Sequence, residues 1–323
     1  LAEFASLDVA LGEQFAAAAV DLAASAGVDL GAVDAIASHG QTVAHHPELR
    51  ATLQIGDPSV IAERTGCTTV ADFRPRDLAA GGEGAPLAPF FHHAALGHPG
   101  EGRLILNLGG IANVTWIRRG AAPEDVVAFD VGPANSLIDG VVAALSNGAE
   151  RMDRDGLRAR RGSVAGDLLE QLLDDEFLRR SPPKSTGRER YGLAEAERLA
   201  EEWAGCGRSG DDLLATLVAF SAEAVALAAR DFLGRSPIDR VLVGGGGARN
   251  PELIRALADR FAGIPVEPFD AAGVPAEAAE AMAFSLMGRN ALLGIPNCLP
   301  RCTGARGEAV LGEIVPGRPG VRV

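Results

Sequence analysis

The sequence predicts an α/β protein of two domains. Three observations carry that reading. A β-α-β pattern fills residues 52–73, apolar runs meet glycine turns at 104–117 and 126–135, and a further apolar run enters a polyglycine turn and a capped helix at 241–251. At 323 residues there is enough chain for two domains of ordinary size, each with its own core.

Composition narrows the function classes. Hydrophobic residues at 47 % with 23 % charged describe an ordinary globular protein. The net charge of −13, from 30 Lys+Arg against 43 Asp+Glu, comes with no basic block. It argues against nucleic acid or an anionic membrane as partner. No continuous apolar run reaches the roughly 18–20 residues of a membrane span, and no basic start precedes an apolar signal region. Cys67, Cys206, Cys298 and Cys302 hold one C-x3-C pair, too little for a zinc site and too sparse for a disulfide framework. A reducing cytoplasm is the expected compartment.

Residues 1–26 read as a helix with Gly27 as its stop, and 33–37 as a short strand that delivers Ser38-His39-Gly40-Gln41-Thr42 into a loop. His39 and Gln41 there are binding candidates; a hydrogen-bonded turn is an equal alternative. Strand 52–55 is followed by Asp57 as N-cap, Pro58 at the first helical position, a helix to residue 65 and Gly66 as its end. Strand 68–73 ends in Asp72-Phe73-Arg74-Pro75-Arg76-Asp77, a cluster that orients a polar substrate or forms a solvated ion-pair network. His92 and His93 are neighbours on a helix, which excludes the i,i+4 metal pair. Residues 97–102, rich in Gly and Pro, mark a domain hinge.

The central stretch follows. Leu104-Ile105-Leu106 and residues 111–117 flank Gly109-Gly110 as a hairpin, whose glycines are expected to supply the φ > 0 of a tight turn. Strand 126–129 runs into Asp130, and a helix capped by Asn135 or Ser136 ends at Asn147-Gly148. Asp130 thus stands at a strand end facing a helix start. A carboxylate there, beside N–H groups able to hold phosphate, suits proton abstraction during phosphoryl transfer.

Residues 151–161 form a charged turn segment with surface helices. Ser181-Pro182-Pro183-Lys184-Ser185-Thr186-Gly187-Arg188 is not a P-loop, since Pro183 and Leu178 stand where its glycines belong; Lys184 or Arg188 near a phosphate stays open. Residues 211–233 read as a core helix. The strand at 241–243 enters Gly244-Gly245-Gly246-Gly247, with Asn250 as cap and Pro251 opening a helix; the dinucleotide fingerprint fails at Arg249. A last helix, 275–293, carries Glu277 and Glu280 on one face.

Ser38-His39-Gly40-Gln41-Thr42, Asp72-Phe73-Arg74, Asn107-Leu108-Gly109-Gly110-Ile111-Ala112-Asn113, Phe129-Asp130-Val131-Gly132-Pro133-Ala134-Asn135, Pro183-Lys184-Ser185-Thr186-Gly187 and the run 244–247 occur in this order along essentially the whole chain. As a set they resemble anhydro-N-acetylmuramic acid kinase, a bacterial cell-wall recycling family. The resemblance implies a two-lobed actin–hexokinase-type (ribonuclease H-like) ATPase fold with ATP and sugar in the cleft. The lobes are expected at 1–100 and 101–302, with 303–323 returning to the first. It implies ATP and Mg²⁺ as cofactors and conversion of 1,6-anhydro-N-acetylmuramic acid plus water to N-acetylmuramic acid 6-phosphate. Asp130 would be the base that activates water. Asn107, Gly109, Gly110, Asn113, Gly132, Asn135, Gly244, Gly245, Gly246 and Asn250 would contact the nucleotide, and His39, Gln41, Asp72, Arg74 and Glu280 the sugar. A homodimer follows by analogy alone.

Two departures accompany the resemblance. The family's opening glycine-threonine-serine-aspartate-glycine turn does not occur, so the chain as written is expected to be N-terminally truncated relative to the family and to bind ATP poorly. Ala134 stands where the family usually has Gly. Two readings compete with the kinase: another sugar kinase of the same fold, and a non-catalytic sugar- or nucleotide-binding protein.

Overall fold

The computed structural model describes residues 1–318 apart from residue 235. It divides into two units, Leu1–Ala94 with Ala278–Val323, and Ala95–Glu277. Residues 319–323, the end of the expected returning segment, lie outside the described residues.

Helix α1 (Ala2–Ala26) ends at Gly27 in the left-handed region, φ 67°, as its sequence predicts. It packs on α2 (Pro58–Thr65), where a Cβ on Gly12 would stand 2.9 Å from Asp57 O. The Asp8 carboxylate accepts the Gly56 N–H at 2.6 Å. Strand β1 (Ala35–Ala37) is shorter than expected, because a 3₁₀ turn at Leu30–Ala32 takes up the preceding chain. The supposed loop 38–42 runs into β2 (Gln41–His46), which pairs antiparallel with β3 (Ala51–Ile55). Asp57 does cap α2, accepting the Ser59 N–H at 2.7 Å, and Gly66 ends it at φ 75°. Strand β4 (Thr68–Ala71) stops short of residue 73 because Asp72 adopts φ 53° and starts α3 (Phe73–Ala79). Asp tolerates that region better than most side chains. Helix α4 (Ala88–Phe91) continues as a π-turn holding His92 and His93.

The second unit opens with the meander β5 (Arg103–Leu108), β6 (Ile111–Ile117) and β7 (Val127–Pro133). Helices α5 (Asn135–Leu145), α6 (Leu157–Arg161), α7 (Gly166–Leu173), α8 (Glu176–Arg179), α9 (Arg188–Tyr191), α10 (Leu193–Gly205) and α11 (Gly210–Phe232) follow. Strand β8 (Arg240–Gly244), α12 (Pro251–Arg260) and β9 (Val266–Pro268) complete it. The five-stranded sheet has the order β7-β6-β5-β8-β9, with only β6 antiparallel to the rest. Alternate residues of these strands, among them Leu104, Leu106, Leu108, Val114, Phe129, Val131, Val241 and Val243, enter one hydrophobic core with α5, α10, α11 and α12. Helix α11 is long and apolar enough to cross a membrane by length and composition, which the continuous-run criterion missed. Some 78 % of its apolar window is buried.

From Ala278 the chain rejoins the first unit, ahead of residue 303. The reason is packing. Helix α13 (Ala279–Leu292) sits on β1 and β4 and contributes Phe284, Met287 and Ala291 to a core with Val70, Phe73, Leu87, Cys298 and Leu311. Beyond α13, buried Asn297 donates to Met287 O and Leu311 O and accepts the Leu311 N–H, at 2.8, 2.9 and 2.6 Å. Every polar atom of that amide is then satisfied. Helix α14 (Pro300–Thr303) leads to β10 (Glu313–Val315), antiparallel to β4 in the sheet β1-β4-β10. Because α13 begins only at Ala279, Glu277 is not on its face with Glu280.

Candidate functional site

Strand pairing gathers several predicted residues of the second unit. Gly244 pairs with Asn107, Asn107 with Asn113, and Asn113 with Asp130. They form one row across β8, β5, β6 and β7. Directly paired residues point to the same sheet face, and this face is the one opposite the main core. The row lies toward the C-terminal ends of the parallel strands, where open α/β sheets bind their ligands.

The half-buried Asp130 is gripped on one side. Its Oδ2 accepts Ser185 Oγ–H at 2.9 Å and the Thr186 N–H at 3.0 Å, while its own N–H donates to Lys184 O at 3.1 Å. Oδ1 takes no hydrogen bond from the described residues. Burial pushes the carboxyl above the usual carboxylate range; the two hydrogen bonds oppose that, Glu189 adds to it and the Lys184 charge opposes it.

The glycines separate into two kinds. Gly244, Gly245 and Gly247 are required by the fold: a Cβ would stand 2.4 Å from Phe269, 2.5 Å from Asn107 Oδ1 and 2.7 Å from Leu108 respectively, and Gly245 has φ 79°. Gly132 is tight against Leu178, at 3.2 Å. Gly109, Gly110 and Gly246 are different. None has a positive φ, and a Cβ would meet nothing nearer than 3.6 Å. This corrects the expectation that Gly109-Gly110 supplies φ > 0. Neither the backbone conformation nor the packing of the described residues requires glycine at these three positions.

Asn135 does not cap α5. The N-cap position is Ala134, and the Asn135 amide instead donates to Leu108 O and Gly109 O at 3.1 and 2.7 Å, fixing the shape of the hairpin turn. Ser136 does not cap it either; its Oγ is buried with no hydrogen-bond partner, and its Cβ is 3.6 Å from where a Gly110 Cβ would lie. Asn250 caps α12 as predicted, accepting the Glu252 and Leu253 N–H groups at 3.1 and 3.3 Å. Its oxygen is therefore engaged within the chain.

Of the two cations left open, Lys184 turns away. Its buried ammonium donates to Phe177 O and Leu178 O, both at 3.0 Å, and lies over the rings of Phe232, Phe177 and Phe129 at 4.7, 4.8 and 5.7 Å. Arg188 lies against the glycine turn, Nε 3.7 Å from a Gly110 Cβ, and makes no ion pair with the described residues. Asp139 on α5, which sequence reasoning missed, is raised to about 6 chiefly by burial, with the Arg188 charge opposing. Nothing in its local sequence marks it.

The first unit holds a separate cluster. Arg74 Nε donates to His39 Nε2 at 2.9 Å and Nη1 to Gly84 O at 2.7 Å. A guanidinium only donates, so Nε2 is the acceptor and Nδ1 carries the proton that goes to Gly40 O at 2.9 Å. Burial first, and then the Arg74 charge, push the His39 ring below its ordinary range. The ring packs on Phe284 of α13, centroids 4.7 Å apart, and the Glu280 charge reaches both His39 and Arg74. His39 and Asp72 line one pocket with Asp8, Ser38, Gln54 and Asp57. Burial raises the Asp72 carboxyl, with Glu313 and Asp8 adding to it. Gln41 stays apart, exposed on β2 and donating to Thr42 O at 3.2 Å.

The chain finds a counterpart along nearly its whole length. The model of the family described as anhydro-N-acetylmuramic acid kinase matches residues 1–317. The chain belongs to the anhydro-N-acetylmuramic acid kinase family. It is similar to the curated anhydro-N-acetylmuramic acid kinase of Salinibacter ruber, 44 % identical over 321 residues, 96 % of this chain and 80 % of that one. With the Gloeobacter violaceus relative it shares 47 % over 313 residues, 96 % of this chain and 81 % of the relative. With that of Streptomyces coelicolor it shares 44 % over 324 residues, 99 % and 80 %. Solved structures are more distant: a ROK family glucokinase from Streptomyces griseus, in complex with glucose and AMPPNP, aligns at TM-score 0.37 and 14 % identity over 85 % of this chain and 87 % of that one. The α/β class holds in both units of this anhydro-N-acetylmuramic acid kinase family member. The order of its five-stranded sheet, 3-2-1-4-5 counted from β5 with the second strand antiparallel, is that of a ribonuclease H-like sheet. Ala134 has φ −114° and is buried, so the turn accommodates its methyl group without left-handed backbone.

Proposed function

We propose that this chain is an ATP-dependent kinase that converts 1,6-anhydro-N-acetylmuramic acid and water to N-acetylmuramic acid 6-phosphate. The carrying observation is the row Gly244–Asn107–Asn113–Asp130, in which one carboxylate oxygen is held and the other is unbonded. The surroundings fit a phosphate: open glycines at 109, 110 and 246, and, among the described residues, a Ser136 hydroxyl without a hydrogen-bond partner and an Arg188 guanidinium without an ion pair. ATP supplies the γ-phosphoryl group for the sugar O6. Among the described residues no three His, Cys, Asp or Glu side chains gather as a metal site. Mg²⁺ is accordingly read as carried by phosphate oxygens rather than by a protein cage.

In this reading Asp130 Oδ1 takes a proton from the water that attacks the anomeric carbon, the C1–O6 bond of the anhydro ring breaks, and the freed O6 takes the γ-phosphoryl group as ADP leaves. Asn107 and Asn113 orient the phosphate side, Asn135 and Asn250 shape their turns, and Gly132, Gly244 and Gly245 keep the strand ends in register. Arg74, whose Nη2 has no partner among the described residues, suits the lactyl carboxylate of the muramic sugar, with Glu280 and Asp72 toward its hydroxyl and amide groups; His39, both ring nitrogens engaged, orients Arg74, and Gln41 takes no part. The four cysteines are free, in keeping with a reducing cytoplasm as the working compartment.

The decisive assay follows phosphate transfer from ATP in ¹⁸O-labelled water. One phosphate on the product and one ¹⁸O at its anomeric hydroxyl are expected with the anhydro sugar. Transfer to glucose alone would favour another sugar kinase, and nucleotide binding without transfer a non-catalytic protein. A second expectation concerns Gly246→Ala. The position is open and its φ is ordinary, so Tm should hold or rise slightly, an Ala there being worth about 0.4–1 kcal/mol through the unfolded chain. The KM for ATP should nevertheless rise several-fold. Unchanged nucleotide kinetics would remove Gly246 from the phosphate surface.

A further inference from the structure

Segment 181–188 fails as a phosphate loop, yet three consecutive residues of it grip Asp130. Lys184 O accepts the Asp130 N–H at 3.1 Å, Ser185 Oγ donates to Oδ2 at 2.9 Å, and the Thr186 N–H donates to the same oxygen at 3.0 Å. We propose that residues 184–186 are the positioning element of the Asp130 carboxylate, holding Oδ2 so that Oδ1 alone faces the reacting water. The proposal rests on the kinase reading of Asp130.

The physical need is plain. The terminal torsion of Asp is broad and nearly two-fold, so an unrestrained carboxylate would sample both oxygens at the reaction face. Two charge-assisted hydrogen bonds to one oxygen remove that freedom. The element is itself anchored: the Lys184 ammonium is tied to Phe177 O and Leu178 O under three rings, which fixes the backbone that carries both donors. It also sets proton affinity. The charged groups acting on Asp130 are Lys184 of this segment and Glu189 of α9. Burial and Glu189 favour the protonated acid, while Ser185, Thr186 and Lys184 favour the carboxylate that a base must be. The Pro-Pro-Lys-Ser-Thr stretch thus acts on the base rather than on the nucleotide.

The test uses the full chain with Ser185→Ala and Ser185→Thr. Ser185→Ala should lower kcat by on the order of 10-fold, the effect of one hydrogen bond to a charged group. Its KM for ATP should stay unchanged, and the acid limb of kcat/KM should move to higher pH. Ser185→Thr keeps the hydroxyl and should restore both. A ¹³C-carboxyl NMR titration of Asp130 gives the same answer independently of turnover: its midpoint should rise in Ser185→Ala. An active wild type whose Ser185→Ala variant keeps kcat within about twofold and its acid limb in place overturns the positioning proposal alone. So do equal losses in both variants with an unmoved Asp130 titration, the signature of packing damage. A wild type that is saturated with ATP and transfers no phosphate overturns the kinase reading and this proposal together.

Discussion

Asp130→Asn is expected to lower kcat for the anhydro sugar by about 10²–10⁴-fold, the usual contribution of a positioned general base. The substitution is close to isosteric. An amide oxygen can still accept from Ser185 and Thr186, so the clamp persists while the proton acceptor is gone. KM for ATP should therefore change little, which separates loss of the base from loss of the site. Stability should move the other way. Burial raises the Asp130 carboxyl, so the folded state holds its proton more tightly than the unfolded chain. Such a group stabilises below its ordinary value near 3.9 and loses that contribution as pH rises through its raised folded value. At neutral pH the ionised Asp130 is thus a cost that Asn does not carry. The Tm of Asp130→Asn relative to wild type should rise from acid to neutral pH. A variant retaining kcat within about threefold would remove Asp130 as the base.

What the sequence made legible was mostly local chemistry. Asp57-Pro58 and Gly66 bracket α2, and Asn250-Pro251 starts α12, because caps are satisfied within a few residues of themselves. Strand β2 was missed because Gln-Thr-Val-Ala-His-His has no apolar alternation; its burial is only partial and its partner β3 supplies the order. The stop at Asp72 was missed because a left-handed Asp has no unique sequence mark. Asp130 was readable as an acid candidate, but not as a strand-end one: β7 runs on to Pro133 because Gly132 and Pro133 keep pairing with Ala112 and Ile111, so Asp130 lies mid-strand. Its row with Asn113, Asn107 and Gly244 was not readable, since register is a tertiary choice. Likewise no run of glycines says which are needed by the fold; that division appears only once Phe269, Leu108 and Asn107 stand beside them. The return of the chain at Ala278 depends on α13 meeting β1 and β4, partners more than 200 residues away along the chain.

Lys184→Met is expected to be the most destabilising single change among these residues, by about 2–4 kcal/mol. Lys184 is 5 % exposed, and its ammonium joins two carbonyls to three rings drawn from β7, α8 and α11. Phe177 O keeps a second donor, the Arg180 N–H at 3.2 Å. The orphan created by Met is then Leu178 O, worth about 1–3 kcal/mol when buried without a partner. Loss of the desolvated cation–π contacts adds about 2 kcal/mol. Sulfur–aromatic contacts of Met return about 1 kcal/mol, and its similar length avoids a large cavity. Burial of the charge works against the wild type and holds the Lys184 amine down to about 8. The sign follows. Between about 8 and the ordinary lysine value near 10.4, the unfolded chain binds the proton and the folded chain does not. Wild-type stability contributed by this group therefore rises with pH across that window, and the Tm gap to Lys184→Met should widen there. Because the lost anchor also slackens residues 184–186, kcat should fall while the acid limb moves up, as the Lys184 charge no longer favours the ionised Asp130. Equal Tm values for wild type and Lys184→Met, at neutral pH and again across the alkaline window, would mean that water reaches Leu178 O and that the ammonium is no anchor.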